Sequence, residues 1–199
     1  MNISAMTLST AKVESLLQSI LSKINSFRVI SQVYFSFKIL ENKYAMKHIM
    51  FVCQGNICRS PMGMFILRHK LKELGLENEY EVISCGLETS TKGEDMEERS
   101  KKQLDDAGIP YEKHEAHMGH PRDFLSQDYI LYMEDFNRVL ISRMMSNRHL
   151  EKAHRLLDYT ADKRDIADPY FTNDFSKAFE DINKGIDAFI QSEILPHKE

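Results

Sequence analysis

Residues 53–61, Cys-Gln-Gly-Asn-Ile-Cys-Arg-Ser-Pro, constrain the fold and chemistry of this chain more than any other segment. They follow the apolar run 49–52, which is typical of a buried strand, and they precede a helix-like stretch that ends near Leu74. A loop between a strand and a helix start directs its backbone N–H groups toward the positive end of the helix dipole. The segment therefore predicts a loop that binds an anion of phosphate size.

The side chains of this loop suit the same purpose. Arg59 presents a planar fork of donors for two phosphate oxygens, Gly55 permits a tight turn, and Asn56 tolerates a left-handed backbone. Cys53 stands at the base of the loop, where the amides, the helix dipole and the guanidinium would stabilise its thiolate form. A cysteine that only fills space in a core would explain none of these neighbours. The pattern indicates a nucleophile and an anion site in one loop.

The segment resembles the active-site signature of the low molecular weight protein tyrosine phosphatases. The resemblance extends over about residues 46–191 and includes residues 84–86, 108–109, 128–133 and 168–170. It implies an α/β fold, namely a single flavodoxin-like domain with a four-stranded parallel sheet in the order 2-1-3-4 and helices on both faces. The implied catalytic domain spans residues 46–199, and residues 1–45 form an N-terminal extension of uncertain status.

The resemblance also implies catalytic roles, with Cys53 as nucleophile, Arg59 as phosphate binder and Asp168 as general acid. Taken alone, Asp168-Pro169-Tyr170 fits an ordinary turn in which the aspartate caps the chain. A cysteinyl-phosphate reaction, however, needs a proton for the departing phenolate and later a base for water. One carboxyl group on a proline-stiffened loop can serve both needs.

The remaining loop residues are expected to bind phosphate and to support the nucleophile. The expected phosphate-binding residues are Gln54, Gly55, Asn56, Ile57, Cys58 and Arg59. Ser60 fits a helix-capping hydroxyl, a donor to the leaving Cys53 thiolate, or both. In the family an asparagine and a distant histidine support this serine, and the matching residues here are Asn56 and His114.

Gln54 and Tyr170 are the expected walls of a substrate slot, together with the loop 86–92, although Tyr170 also fits a packed aromatic residue. A thiolate at the floor of a narrow slot favours the long reach of an aryl phosphate. The expected partners are phosphotyrosine-containing proteins or aryl phosphates, and phosphate or sulfate could occupy the loop. The chain departs from its relatives here, since it has no Trp and carries Phe171 where they often have a second tyrosine.

Cys58 lies five residues after Cys53 in the same loop. Oxidation of Cys53 could be captured as a Cys53–Cys58 disulfide that prevents further oxidation, and in the family this pair is a reversible redox switch. The alternative is that Cys58 is a small packing residue.

No metal and no cofactor are expected, because phosphate transfer through cysteine needs neither. The residues His114, His117 and His120 are three apart and could face one ion. No Cys or carboxylate group accompanies them at ligand spacing, so the metal hypothesis is the weaker one.

Composition agrees with a small enzyme. A chain of 199 residues with 42% hydrophobic content can bury one core. Its three cysteines and the lack of a clean secretory signal favour a reducing compartment, by default the cytoplasm. The net charge is −4, and residues 1–45 hold five basic and two acidic side chains, so the rest of the chain is net acidic. The sequence therefore shows no basic pattern typical of a nucleic-acid-binding protein.

The periodic signals alternate between strand and helix, as in βαβ folds. Strands are predicted at 49–52, 81–84, 129–133 and 154–157, and helices at 61–74, 96–107, 135–145 and 175–194. Parallel strands place their C-terminal ends on one edge of the sheet. Cys53 and Asp168 are therefore expected to meet there despite their separation in sequence.

The extension 1–45 contains an apolar helical stripe followed by a strand-like alternation over 33–39. Arg28, Gln32 and Lys38 interrupt it, which argues against a membrane span. Met46-Lys47 stands where a family member would begin, so initiation upstream of the native start is one hypothesis. A transit peptide and a packed or membrane-touching appendage are the others. The residues of the stripe are Val13, Leu16, Leu17, Ile20, Leu21 and Ile24.

Three other functions remain open. A protein-arginine phosphatase of the same fold typically has Thr where Ile57 stands, and an arsenate reductase resembling the family needs further cysteines that this chain lacks. A non-catalytic phosphate-binding module would be expected to lose Cys53 or Asp168, and both are present.

Overall fold

A computed structural model of the protein describes residues 12, 14, 15, 18, 19 and 46–198. The chain divides into two units, Met1–Ala45 and Met46–Glu199. In the first unit the described residues have helical backbone. The apolar stripe predicted over 13–24 and the alternation predicted over 33–39 lie outside the described residues.

Strands and helices alternate along residues 46–198. The strands are β1 (Lys47–Cys53), β2 (Tyr80–Gly86), β3 (Tyr129–Tyr132) and β4 (Ala153–Arg155). The helices are α1 (Arg59–Glu73), α2 (Glu98–Asp106), α3 (Pro121–Leu125), α4 (Asp135–Met144), α5 (Pro169–Thr172) and α6 (Phe175–Phe189). Short 3-10 segments cover Asn147–Lys152, Leu156–Tyr159 and Leu195–Lys198, and a π-helical turn covers Ile190–Ile194.

The four strands form one parallel sheet in the order β2-β1-β3-β4, as predicted. Residues 49–52 of the central strand β1 are fully buried because helices cover both faces of the sheet. Ile49 and Phe51 belong to the core beneath α1 and α6, whereas Met50 and Val52 belong to the core beneath α4. Because helices cover both faces of the sheet, its C-terminal edge is where a ligand-binding site is expected.

Several predicted element ends were wrong by a few residues. Helix α1 begins at Arg59 rather than at 61, so Arg59 belongs to the first turn of the helix and not to the loop before it. Helix α2 begins at Glu98 because the Glu97 carboxylate accepts hydrogen bonds from the next turn. Strand β4 stops at Arg155, since the chain turns into a 3-10 helix that buries Leu156 and Leu157.

Helix α6 likewise ends at Phe189, earlier than predicted, and continues as the π-helical turn Ile190–Ile194. Within the described part of the chain, the helices are all too short or too polar to cross a membrane.

Candidate active site

The C-terminal edge of the sheet carries a cleft of about 340 Å³. Cys53 ends β1, Arg59 begins α1, and Asp168 immediately precedes α5. The crossover connections bring these three residues to the same cleft although 109 positions separate Arg59 from Asp168. The residues that line the cleft are 53–59, Glu88, Ser90, Thr91, Glu94, Asp168, Tyr170 and Phe171.

The loop folds tightly around Cys53, a residue that is 2% exposed. Asn56 adopts the left-handed conformation, with a φ of 59°, and its backbone N–H donates to Cys53 Sγ at 3.3 Å. Gly86, the last residue of β2, allows this close approach, because a Cβ there would lie 2.9 Å from the Gln54 carbonyl oxygen. The loop geometry therefore depends on the neighbouring strand as well as on its own residues.

The orientation of the buried Asn56 amide determines which of the surrounding groups donate hydrogen bonds and which accept them. The His117 backbone N–H can only donate, and it donates to Asn56 Oδ1 at 3.2 Å. Asn56 Nδ2 then donates to Ser60 Oγ at 2.9 Å and to Ser84 Oγ at 3.0 Å. The Ser60 proton is left to point at Cys53 Sγ, which lies 3.0 Å away. The alternative acceptor, the Cys85 carbonyl oxygen, is farther, at 3.4 Å.

Ser60 was considered as a helix cap, but the structure gives its hydroxyl a different partner. Cys58 occupies the cap position of α1, no side chain caps that helix end, and Ser60 lies inside the first turn. Its hydroxyl instead joins the Asn56 amide to the Cys53 sulfur.

His114 supports the same amide from the opposite side. Its Nε2 lies 2.9 Å from the Asn56 carbonyl oxygen and 3.2 Å from Asn56 Oδ1. Both neighbours are acceptors, so Nε2 carries the proton. Burial lowers the pKa of His114 below its usual value and keeps the ring neutral near pH 7. The ring therefore donates one hydrogen bond without placing a charge near Cys53.

Arg59 is 1% exposed, and carbonyl and carboxylate oxygens surround its guanidinium. Nη1 donates to the Ile166 carbonyl oxygen at 2.9 Å, while Nη2 contacts Asp168 Oδ2 at 2.5 Å and Glu134 Oε1 at 2.9 Å. Nε is buried without a hydrogen-bond partner in the described residues, although the side chain lines the cleft. This edge of the guanidinium is a donor suited to an anion in the cleft.

Sequence reasoning missed Glu134. It follows β3 by two residues and precedes the first residue of α4, so it lies at the same sheet edge as Cys53. An acidic residue directly after a buried parallel strand was the available signal.

Asp168 acts as the cap of α5, since its carboxylate accepts the Tyr170 backbone N–H at 3.1 Å. The same carboxylate contacts Arg59, and its side chain is 20% exposed. Asp168 therefore both caps the turn expected from Asp-Pro-Tyr and lies beside Arg59 at the end of the loop that follows β1.

Cys58 also lines the cleft, and the three cysteines are free thiols. Burial, reinforced by the nearby Cys53, raises the pKa of the Cys58 thiol to about 12. Cys85 is a packing residue, with its thiol donating to the Met50 sulfur at 3.4 Å.

The three histidines considered for a metal have separate surroundings. His114 contacts Asn56, His117 Nδ1 lies 3.3 Å from the Glu115 carbonyl oxygen, and His120 precedes α3 as its cap residue. Among the described residues no cluster of His, Cys, Asp or Glu side chains is arranged to hold a metal ion.

Polar and aromatic side chains form the walls of the cleft. Gln54 Nε2 donates to Glu88 Oε2 at 3.0 Å, which joins the loop after β1 to the expected wall segment 86–92. Tyr170 is 61% exposed and meets Phe171 edge to face, with ring centroids 5.5 Å apart. Glu88 and Glu94 add carboxylates to the rim.

A buried thiol in a strand-to-helix loop, beside an arginine and a carboxyl group at the edge of a parallel α/β sheet, is an arrangement typical of a cysteine-dependent phosphatase. Residues 48–197 match the family described as low molecular weight phosphotyrosine protein phosphatase. The chain belongs to this family and is a phosphatase.

Individual relatives agree with the family match. The low molecular weight protein-tyrosine-phosphatase PtpA of Staphylococcus epidermidis is 34% identical over 146 residues, covering 73% of this chain and 92% of the relative. YfkJ of Bacillus subtilis, which bears the same description, is 32% identical over 149 residues, covering 74% of this chain and 96% of the relative.

Solved structures show the same fold. The crystal structure of YfkJ has a TM-score of 0.74 at 31% identity and covers 78% of this chain and 98% of its own. The crystal structure of the Drosophila arginine phosphatase DARP has a TM-score of 0.66 at 28% identity and covers 73% of this chain and 96% of its own.

Proposed function

We propose that this protein hydrolyses phosphotyrosine esters in proteins, or related aryl phosphates, through a cysteinyl-phosphate intermediate. The observation that carries the proposal is the environment of Cys53. Its sulfur lies 3.3 Å from the Asn56 N–H and 3.0 Å from the Ser60 hydroxyl, in a cleft that Arg59 and Asp168 also line. These are the groups that nucleophilic attack on a phosphate ester requires.

In the first step, the Cys53 thiolate attacks phosphorus in line with the leaving oxygen. The loop amides and Arg59 hold the remaining phosphate oxygens and their negative charge. As the P–O bond to the substrate breaks, Asp168 donates its proton to the departing phenolate. The products of this step are a free phenol, a cysteinyl phosphate and the Asp168 carboxylate.

In the second step, the Asp168 carboxylate accepts a proton from water while the water oxygen attacks phosphorus. The S–P bond breaks, phosphate leaves and Cys53 returns as a thiolate, which the Ser60 hydroxyl stabilises. Protein side chains supply the nucleophile, the acid and the anion donors, so the proposed reaction requires no metal and no cofactor. Free phosphate or sulfate is expected to bind to the same loop.

The contact between Arg59 and Asp168 gives the acid a defined starting position. Asp168 Oδ2 and a bound phosphate would compete for Arg59 Nη2, which lies 2.5 Å from the carboxylate. Substrate binding would therefore release the carboxyl group from the guanidinium and make it available to the leaving oxygen.

Substitutions at Cys53 and Asp168 test the reaction. Cys53→Ser should abolish turnover of a phosphotyrosine peptide but retain phosphate binding, because the loop amides and Arg59 remain. Asp168→Ala should lower kcat by about a hundredfold or more, since the leaving phenolate loses its proton donor. Steady-state kinetics and phosphate titration measure the two effects.

Asp162→Ala is the matched control, because Asp162 is a partly exposed carboxylate that pairs with the surface residue Lys184 and does not line the cleft. It should keep normal turnover. Near-normal hydrolysis of phosphotyrosine by Cys53→Ser or Asp168→Ala would reject the mechanism.

Phosphoarginine is a second candidate substrate. The Drosophila arginine phosphatase shares the fold, and Glu88 and Glu94 on the cleft rim could attract a guanidinium group. Ile57 argues for phosphotyrosine, because the arginine phosphatases that this chain resembles typically carry Thr there. Parallel kcat/KM measurements on phosphotyrosine and phosphoarginine peptides decide between the substrates, and Ile57→Thr should shift the ratio toward phosphoarginine.

We further propose that Cys58 protects Cys53 from irreversible oxidation. Peroxide would convert the Cys53 thiolate to a sulfenic acid, and Cys58 would then form a disulfide with it and release water. Because burial raises the pKa of Cys58 to about 12, formation of this disulfide should accelerate as the pH rises. Such a thiol enzyme suits the reducing cytoplasm, where we place it.

Peroxide inactivation followed by thiol treatment tests this role. The wild-type enzyme should recover activity, and Cys58→Ser should not. Cys85→Ser is a control, because Cys85 contacts Met50 rather than the cleft. Equal recovery in Cys58→Ser and in the wild type would remove Cys58 from the scheme.

A further inference from the structure

Arg99, in the first turn of α2, connects the phosphate-binding loop to the segment that carries Asp168. On the loop side, the Glu97 backbone N–H donates to the Ile57 carbonyl oxygen at 2.9 Å. The Glu97 carboxylate in turn accepts hydrogen bonds from the Arg99 backbone N–H and from Arg99 Nε, both at 2.6 Å. The start of α2 is thereby joined to the phosphate-binding loop.

The other end of the Arg99 guanidinium reaches the end of α5. Its Nη1 donates to Asn173 Oδ1, and its Cζ lies 4.3 Å from the centre of the Phe175 ring. Asn173 terminates α5 in the left-handed conformation, with a φ of 59°, and its N–H donates to the Pro169 carbonyl oxygen at 2.9 Å. Arg99 therefore holds Asn173, the residue that caps the C-terminal end of the single helical turn that follows Asp168.

This turn has few other anchors. Of residues 167–174, Pro169 alone is buried, and Tyr170 and Phe171 are 61% and 79% exposed. A helix of one turn is not stable by itself, so its position depends on the buried residues Ile166 and Phe175 on either side of it and on polar contacts at its two ends. Asp168 contacts Arg59 at the first end, and Arg99 contacts Asn173 at the second.

We propose that Arg99 is a positioning residue for the general acid. It acts through Asn173 to hold the Asp168 turn at a constant distance from the phosphate-binding loop, and this role rests on the proposed phosphotyrosine hydrolysis. When phosphate takes the Arg59 donors, the contact at Asn173 remains and keeps the carboxyl group beside the leaving oxygen. Lysine cannot replace Arg99, because one ammonium lacks the planar fork that bridges Glu97 and Asn173.

If the general acid is displaced, the fall in kcat/KM depends on how basic the leaving group of the substrate is. Phenyl phosphate resembles phosphotyrosine and expels a phenolate of high basicity, which needs a proton, whereas p-nitrophenyl phosphate expels a much weaker base. Arg99→Ala should therefore lower kcat/KM for phenyl phosphate by about tenfold and for p-nitrophenyl phosphate by much less. Arg99→Lys should show most of the same loss.

Two further variants separate positioning from folding. Asn173→Gly removes the acceptor but retains the left-handed backbone, and it should reproduce the selectivity of Arg99→Ala. In an Asp168→Ala background, Arg99→Ala should cause no further loss that depends on the leaving group, because the acid it positions is gone. Lys102→Ala, which removes an exposed partner of Asp106 on the same helix, should leave both substrates unaffected.

The outcomes are distinct. The positioning role would be overturned if Arg99→Ala lowered kcat/KM equally for both substrates or left it unchanged. It would also be overturned if the loss that depends on the leaving group persisted in the Asp168→Ala background. If Asp168→Ala itself shows no dependence on the leaving group, the proposed reaction fails first. If Asp168→Ala shows that dependence and Arg99→Ala does not, only the role of Arg99 fails.

Discussion

A single backbone donor, the N–H of His117, determines how the buried side chain of Asn56 is oriented. Reversing the amide would set its NH₂ group against that N–H, and the cost of two facing donors in a buried site exceeds that of an ordinary hydrogen bond. Because the amide is held, Ser60 accepts from Asn56 and turns its own proton toward Cys53. The proposed nucleophile, Cys53, therefore receives a hydrogen bond whose direction is fixed by the residues around it.

The pH dependence of stability tests the neutral state of His114. Its pKa is lowered by burial, so the unfolded chain takes up this proton at a higher pH than the folded protein does. The contribution of His114 to the free energy of unfolding is complete above the unfolded pKa of about 6.5 and is lost as the pH falls through the lower folded pKa. His114→Gln removes the titrating ring but keeps an amide donor for Asn56.

Urea unfolding of both proteins at about pH 7 and about pH 5 measures this contribution. The wild type should lose more stability than His114→Gln on acidification, and the difference isolates His114 from the other histidines. Identical losses would show that the ring is not held neutral.

At the scale of secondary structure, the phosphate-binding loop is supported by three neighbouring segments. The end of β2 lies against it at Gly86, the start of α2 donates to the Ile57 carbonyl oxygen, and the Thr91 hydroxyl donates to the Gly55 carbonyl oxygen. Each support comes from a segment far along the chain from the loop, and Thr91, for example, follows Gly55 by 36 positions. The loop therefore reaches its final shape only when β2 and α2 are in place.

Gly86→Ala tests this dependence. The added methyl group would lie 2.9 Å from the Gln54 carbonyl oxygen and 3.2 Å from Asn56 Cβ, so the loop must move. We expect a destabilisation of about 1–3 kcal/mol together with a fall in kcat/KM. Urea denaturation and steady-state kinetics measure both effects.

Glu81→Ala lies on the exposed side of the same strand, where Glu81 pairs with His48, and serves as the control. It should change neither quantity appreciably. Full activity in Gly86→Ala would indicate that the loop tolerates displacement, contrary to this prediction.

At the scale of the whole molecule, the core and the cleft lie in residues 46–199. The family match begins at residue 48, and the second of the two units begins at Met46. The sheet, both cores and the cleft-lining residues belong to that unit. The assignment of residues 46–199 as the catalytic domain and of residues 1–45 as an N-terminal extension stays a prediction.

A protein that begins at Met46 should therefore fold and keep the kcat/KM and the melting temperature of the full chain, because no residue of the proposed site precedes it. Parallel expression, thermal unfolding and kinetics on a phosphotyrosine peptide provide the comparison. A lower melting temperature or a lower kcat/KM in the shorter protein would mean that residues 1–45 contribute to the fold or to the site.

Local patterns predicted the elements well and their ends poorly. The alternation of apolar runs gave strands and helices in the right order, since burial on both sheet faces leaves continuous hydrophobic segments. The start of α1 and the end of β4 were wrong, because tertiary packing decides whether Arg59 joins a helix and whether Leu156 turns into the core. The strand order came from the family resemblance and was confirmed.

The sequence by itself determined the chemistry of the loop, because a thiol, a guanidinium and a tight turn lie within seven consecutive residues and interact through local backbone geometry. Only the tertiary structure decided which distant groups complete the site. His114 is 58 positions from Asn56, while Glu134 reaches Arg59 from the segment after β3 and Asp168 from the start of α5. Such contacts depend on how the crossover helices pack against the sheet, and no short-range pattern encodes that packing.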